Sequence, residues 1–196
     1  MLSYLLMKKV LKVGFDLDGV ILYNPIRFIR PIAKLFKPIK SLLLKQNLDS
    51  FYFPKSKLEQ FLFRLLHKTS FKPDSALFNI KQLVKNKRIK AYIVTGRYGF
   101  LKSDYETWLK KINAKKIFEK CYQNTDDLQP NKFKEKMIKK LDLDIYIEDN
   151  WDIVEKLKIK NKKLKIFWIT NILDKNIPYQ YKFRDLKSAL ENIATS

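Results

Sequence analysis

The sequence predicts a doubly wound, Rossmann-like α/β fold: a five-stranded parallel sheet with a small inserted helical cap. Three observations predict it. Five short runs rich in Val, Ile, Phe and Tyr recur along the chain, and stretches with helical spacing separate them. Runs this short and this apolar suit strands covered on both faces, and strand alternating with helix implies crossover units in one parallel sheet. One segment, residues 23–72, breaks the alternation. At 196 residues, 46% of them hydrophobic, the chain has room for one core and a modest insertion but not for two full domains.

The first strand is expected at Lys9–Phe15. The apolar stretch before it, Leu2 to Met7, is too short for a signal-peptide core and has no basic segment ahead of it, and Met7 is an alternative start. The insertion follows. Its first helical stretch, Pro25–Gln46, is punctuated by Pro31 and Pro38 and should be kinked or broken. Its second, Lys55–Lys68, carries Leu58, Leu62, Leu65 and Leu66 on one face. The core resumes with a helix at Asp74–Asn86, Asp74 being a plausible cap, and a strand at Lys90–Thr95. A helix at Leu101–Ile112, a strand at Ile117–Gln123, a helix at Asn131–Leu141 and a strand at Asp144–Glu148 come next. A helix at Asp152–Ile159, a strand at Leu164–Ile169 and a helix at Arg184–Ile193 complete the series. The expected division is a core of residues 1–22 and 73–196 with a cap of residues 23–72.

Composition excludes several chemistries. Cys121 is the single cysteine and His67 the single histidine, so a disulfide framework and a zinc finger are out, as is any catalytic triad that needs another histidine. Reducing, cytoplasmic surroundings fit best. The chain carries 41 Lys+Arg against 20 Asp+Glu, a net charge of +21. Residues 23–72 hold 11 Lys+Arg against 2 Asp+Glu, and Arg27, Arg30, Lys34 and Lys37 share one helical face. A basic lid could steer an anionic substrate, lie on an anionic membrane surface, or contact a nucleic-acid backbone. A lysine-rich composition with solvated basic faces explains the same charge without any partner.

Chemistry concentrates at the strand ends. Phe15-Asp16-Leu17-Asp18-Gly19 closes the first strand, Val94-Thr95-Gly96-Arg97 the second, and Ile147-Glu148-Asp149-Asn150 the fourth. In open α/β sheets ligands bind in the crevice beyond the carboxyl ends of the strands. All four glycines, Gly14, Gly19, Gly96 and Gly99, flank Asp16 or Thr95, where tight turns and close backbone approach are needed. Gly14 to Gly19 has P-loop spacing, but Val20-Ile21 stands where that motif needs Lys and Ser/Thr.

These residues resemble the haloacid dehalogenase superfamily, specifically its phosphatases. Asp16-x-Asp18-Gly19 looks like the first of its four motifs, Thr95 the second, Lys132 the third and Glu148-Asp149 the fourth. The strand–helix alternation that carries them runs from residue 9 to residue 169, and the insertion falls where that family commonly places a helical cap. The resemblance implies that Asp16 is a nucleophile forming an aspartyl-phosphate, and a carboxylate ionised at neutral pH needs no base to activate it. Asp18 would protonate the leaving oxygen and then activate water. Mg²⁺ is the expected cofactor, held by Asp16, the main-chain carbonyl of Asp18, and Asp149, with Glu148 close by or acting through water. Thr95 and Lys132 would hold the phosphoryl oxygens, and Gly96 and Arg97 are candidate phosphate or substrate contacts. Lys132, Lys134 and Lys136 all lie near the start of one helix. Lys132 is chosen because it falls in the first turn, and Lys134 is the runner-up.

The implied activity is Mg²⁺-dependent hydrolysis of a small phosphate monoester, with nucleoside monophosphates the leading expectation from the short, nucleotidase-like cap. The alternatives are removal of terminal phosphates from nucleic acids and a non-catalytic module binding RNA or acidic lipid. Plainer readings exist for single residues. Asp16 and Asp18 could form a capping turn, Glu148-Asp149 could cap the helix at Asp152, and Arg97 could make a structural salt bridge. His67, Cys121, Trp108, Trp151 and Trp168 read most simply as packing residues.

Overall fold

The apolar runs become the interior strands of one sheet in a computed structural model, which describes residues 9–23, 50–68, 70, 72–160, 163–171 and 176–195. In chain order the strands are β1 (Leu11–Phe15), β2 (Leu22–Tyr23), β3 (Lys72–Pro73), β4 (Ile89–Tyr98), β5 (Lys120–Asn124), β6 (Ile145–Glu148), β7 (Lys165–Ile169) and β8 (Lys182–Phe183). The helices are α1 (Lys57–Lys68), α2 (Leu77–Lys85), α3 (Lys102–Lys111), α4 (Pro130–Leu141), α5 (Trp151–Lys160) and α6 (Leu186–Thr195). The main sheet runs β5-β4-β1-β6-β7-β8 and every neighbouring pair is parallel. It has six strands where the sequence predicts five. The sixth is a two-residue edge, Lys182 and Phe183, paired with Trp168 and Ile169 and too short to show a period.

Alternation of the strand side chains divides the core into two layers. Val13, Phe15, Ile93 and Phe167 pack with residues of α2, α3 and α6, including Ile80, Trp108 and Leu190. Val94, Tyr146 and Trp168 pack on the opposite face with Phe133 and Met137 of α4 and Val154 of α5. Phe15 and Trp168 have no exposed surface, and burying each such side chain is worth about 2–3 kcal/mol before entropic costs. The helix expected from Asp74 begins at Leu77. The Asp74 carboxylate instead accepts from the Ala76 amide at 2.8 Å and forms the turn ahead of it. Pro130 occupies the first turn of α4, where its missing N–H costs nothing, and the helix stops at Asp142 in the left-handed conformation (φ 50°).

The ends of the insertion are tied together, because Leu22 and Tyr23 pair antiparallel with Pro73 and Lys72. The expected kinked helix Pro25–Gln46 and its basic stripe lie outside the described residues. The expected Lys55–Lys68 helix is α1. Residues 51–53 are strapped to the core: the Phe51 amide donates to Gln129 Oε1 at 2.7 Å, and Gln129 Nε2 donates to the Phe51 carbonyl at 3.2 Å. The Tyr98 hydroxyl donates to the Tyr52 carbonyl at 3.3 Å. Among the described residues no helix is long and apolar enough to cross a membrane.

Candidate active site

Three strand ends and one helix bring the motif residues into one crevice. At the end of β1 the Asp16 amide donates to the Ile147 carbonyl at 3.0 Å, which holds the nucleophile candidate beside β6. The chain then turns so that Gly19 adopts φ +78°, and a β-carbon there would collide with the Asp149 carboxylate. Glycine is needed at this position on both counts. On β4 the pairing with β5 shifts between Thr95 and Tyr98. A β-carbon on Gly96 would come within 2.8 Å of Pro130, so glycine lets the start of α4 approach the sheet.

Asp16, Glu148 and Asp149 are all buried, and one carboxylate oxygen from each lies within 4.8 Å of the others. Lys134 reaches into this cluster from α4, 3.0 Å from Asp16 Oδ2 and donating to Glu148 Oε2 at 2.6 Å. Asp16 Oδ1 is buried and has no hydrogen-bond partner among the described residues. Three clustered carboxyl groups share one buried ammonium, and an oxygen-rich donor set of this kind suits a hard divalent cation. Burial raises the Asp16 carboxyl and pushes Glu148 up to about 8, despite the opposing pull of Lys134, and Asp149 adds to both. The two carboxylates in turn raise the Lys134 ammonium and outweigh its burial.

Asp18 belongs to a second network beside the first. Its two oxygens receive Arg97 Nε and Nη2 at 2.7 Å each, and Oδ1 also accepts from Ser70 Oγ at 3.0 Å. His67 Nδ1 stands 3.6 Å from Oδ2. Burial alone would raise the Asp18 carboxyl, but the Arg97 guanidinium outweighs it and holds the group well below the carboxylate range. The remaining guanidinium nitrogen of Arg97 donates to Asp104 in the first turn of α3. Thr95 is buried, and its hydroxyl accepts from the Arg97 amide at 3.3 Å.

Two sequence expectations need correction. Lys132 is exposed and faces Lys160 and Glu135 on the outer surface, away from the carboxylates. Lys134 holds the buried position, because α4 turns Phe133, Lys134, Met137 and Ile138 toward the sheet. Arg97 lines the cavity, yet its guanidinium is committed to Asp18 and Asp104 rather than left open for a phosphate. Glu148 meets Lys134 directly. In the turn ahead of α5, Glu148 Oε1 accepts from the Asn150 amide at 3.1 Å, and Asn150 Oδ1 accepts from the Asp152 amide at 3.1 Å. Trp168 buries its indole beneath the site and donates from Nε1 to the Asp149 carbonyl at 3.3 Å. Cys121 is mostly covered, and burial pushes its thiol up to about 11, which makes it unreactive. Sequence reasoning took His67 as packing and did not find Ser70 or Asp104 at all.

The crevice opens into a cavity of about 220 Å³. Asp16, Asp18, Thr95, Lys134 and Glu148 line it together with Phe51, Tyr52, Phe63 and Tyr98.

No family model matches the sequence. No curated protein matches it either. Solved structures do match. A haloacid dehalogenase hydrolase of Bacillus subtilis, YfnB, solved with magnesium bound, superposes with a TM-score of 0.61 at 13% identity over 95% of this chain and 100% of that one. A β-phosphoglucomutase-like protein of Thermotoga maritima gives 0.58 at 16% identity over 95% and 99%. CbbY of Rhodobacter sphaeroides, solved with phosphate, gives 0.52 at 10% identity over 93% and 100%. The chain shares the fold of these solved structures.

Proposed function

We propose that this chain is a Mg²⁺-dependent phosphatase that hydrolyses a small phosphate monoester through an aspartyl-phosphate on Asp16. The observation that carries the reading is the state of Asp16 within the buried acidic cluster: one oxygen is held by Lys134, and the other is buried with no hydrogen-bond partner among the described residues. Asp16, Asp149 and the Asp18 main-chain carbonyl would hold the ion, with Glu148 beside them. When bound, the ion screens the nucleophile's charge from the phosphate's and polarises a phosphoryl oxygen.

The steps follow from the side chains. An Asp16 oxygen attacks phosphorus, the ester P–O bond breaks, and the leaving oxygen takes a proton from Asp18. Water then attacks the acyl phosphate and gives a proton to Asp18, releasing inorganic phosphate and restoring the Asp16 carboxylate. Lys134 and the Thr95 hydroxyl hold phosphoryl oxygens while charge spreads over them. Arg97 and Ser70 favour the charged form of Asp18, which takes water's proton in the second half. The charge of a phosphate ester bound beside it works against them, and Asp18 then takes up from solvent the proton that it gives the leaving oxygen in the first half. A cytoplasmic location, with residues 23–72 acting as a cap over a 1–22 and 73–196 core, completes the reading.

Purified protein with Mg²⁺ should release phosphate from a generic phosphate ester, and Asp16→Asn should abolish turnover while leaving the circular dichroism unchanged. Retained turnover in that variant rejects the mechanism. A non-catalytic module for RNA or acidic lipid would instead bind without metal and survive Asp16→Asn.

A further inference from the structure

The single histidine of the chain stands where the insertion meets the acid–base candidate. His67 lies in the last turn of α1 and lines the cavity together with Asp18. Its Nδ1 is buried and has no hydrogen-bond partner among the described residues. The atom stands 3.6 Å from Asp18 Oδ2, just outside hydrogen-bond range. A buried ring nitrogen left in this state asks for a reason, because such groups are normally paired.

Its placement is held from two sides. One turn earlier Arg64 Nη2 donates to the Phe100 carbonyl at 3.3 Å, and the Phe63 ring lies 6.2 Å from Phe100 and 5.7 Å from the His67 ring. After His67 the chain turns tightly, the Ser70 amide donating to the His67 carbonyl at 3.2 Å. That turn sets Ser70 Oγ on Asp18 Oδ1 and His67 Nδ1 beside Oδ2. The insertion thus reaches one carboxylate with two side chains.

The acceptor count at Asp18 shows what His67 borders. A carboxylate offers about four acceptor sites. Among the described residues, Arg97 Nη2 and Ser70 Oγ take those on Oδ1, and Arg97 Nε takes one on Oδ2. The site left open is on Oδ2, the oxygen next to His67. A proton that Asp18 exchanges with the substrate therefore has one place to sit. A bare Nδ1 lone pair would be repelled by the carboxylate, so the ring proton belongs on Nδ1 and faces the open site.

We propose that His67 is a positioning residue for the acid–base step: carried in by the insertion, its Nδ1–H borders the open site on Asp18 Oδ2 and fixes the direction in which that oxygen exchanges its proton. The inference rests on the phosphoryl-transfer reading of Asp16 and adds the part that the insertion plays in it.

The test compares kcat/KM for phenyl phosphate and 4-nitrophenyl phosphate, two esters of like shape. Nitrophenolate departs without a proton, whereas phenoxide leaves faster with one, and kcat/KM reports only the steps up to its departure. His67→Ala should lower the phenyl-to-nitrophenyl ratio about tenfold, part of the roughly 10²–10⁴-fold that a well-placed acid supplies. His67→Asn, whose amide stands in for Nδ1–H, should recover most of the ratio, and His67→Phe, which keeps only the ring, should not. Lys68→Ala, at the exposed next position, should leave both esters within about twofold of wild type. An equal loss on both esters in His67→Ala makes the residue merely structural and overturns the proposal, as does full recovery in His67→Phe. If wild-type protein hydrolyses neither ester, the phosphatase reading fails on its own account. The placement of His67 is then judged by nitrogen NMR of the one imidazole at about pH 8, above the ordinary histidine value. A proton on Nδ1 that redistributes in Asp18→Ala upholds the pairing, and a proton on Nε2 in wild type overturns it.

Discussion

Arg97 grips Asp18 with two hydrogen bonds of 2.7 Å, one to each carboxylate oxygen, in a place where both side chains are nearly free of solvent. A fork-to-fork pair of this kind fixes the direction of the carboxylate as well as its charge. Buried charges also depend on one another. Removing one partner leaves the other desolvated and uncompensated, which costs about 3–5 kcal/mol.

Arg97→Met should therefore lower unfolding free energy by about 3–5 kcal/mol, because Asp18 loses its counter-charge and Asp104 loses its donor. Arg97→Lys keeps the charge but not the fork and should fall between that variant and wild type. Urea unfolding of the three proteins measures both. Equal stability of Arg97→Met and wild type would show that the pair is not structural.

Acid should separate Asp18 from the other carboxylates. In the folded state its carboxyl lies well below its ordinary 3.8, so the unfolded chain binds the proton more tightly. The stability this contributes is complete above about pH 4 and is lost as the pH falls below it toward the folded value. Between about pH 6 and pH 3, wild type should lose more stability than Asp18→Asn. Parallel pH curves for the two proteins contradict this.

Exchanging the two neighbouring lysines should produce opposite results. Lys134→Met leaves Asp16 and Glu148 without their shared ammonium and should reduce kcat by about 10²–10³-fold, the usual cost of one lost donor to a developing charge. Lys132→Met, on the exposed side of the same helix, should stay within about twofold of wild type. Steady-state assays with one ester decide the matter. A comparable loss in both variants would return the phosphate-holding role to Lys132.

Mg²⁺ should stabilise the folded protein even without substrate. Binding at a hundredfold excess over Kd adds about 2.7 kcal/mol, or several degrees of melting temperature for a chain of this size. Asp149→Asn should remove most of that shift, whereas Asp142→Asn, a change at an exposed carboxylate outside the cluster, should not. An identical shift in Asp149→Asn places the ion elsewhere.

The strands, their parallel arrangement and the three motif-bearing strand ends, two of them acidic, were legible because each leaves a local trace: an apolar run, a glycine turn, or a pair of carboxylates at a boundary. The choice between Lys132 and Lys134 was legible too, through a different rule. Lys134 shares the apolar face with Phe133, Met137 and Ile138, while Lys132, Lys136 and Lys139 lie on the polar one, so helical phase was a better guide than distance from the helix start. His67 and Ser70 left no such trace. They reach Asp18 only because the insertion folds back at β3, and that return is a long-range event. Asp104 looked like an ordinary acid in a first helical turn, and β8 was too short to carry any pattern.

The hydrogen bond from the Trp168 indole to the Asp149 carbonyl gives the protein a built-in optical reporter. Trp151 lies 4.4 Å from Trp168, ring centre to ring centre, so the two chromophores are electronically close as well as near the acidic cluster. Emission from this pair responds to the local field. Mg²⁺ added to unlabelled protein should therefore change this emission on stopped-flow mixing, and a Trp108→Phe background removes the indole that packs on the other face of the sheet.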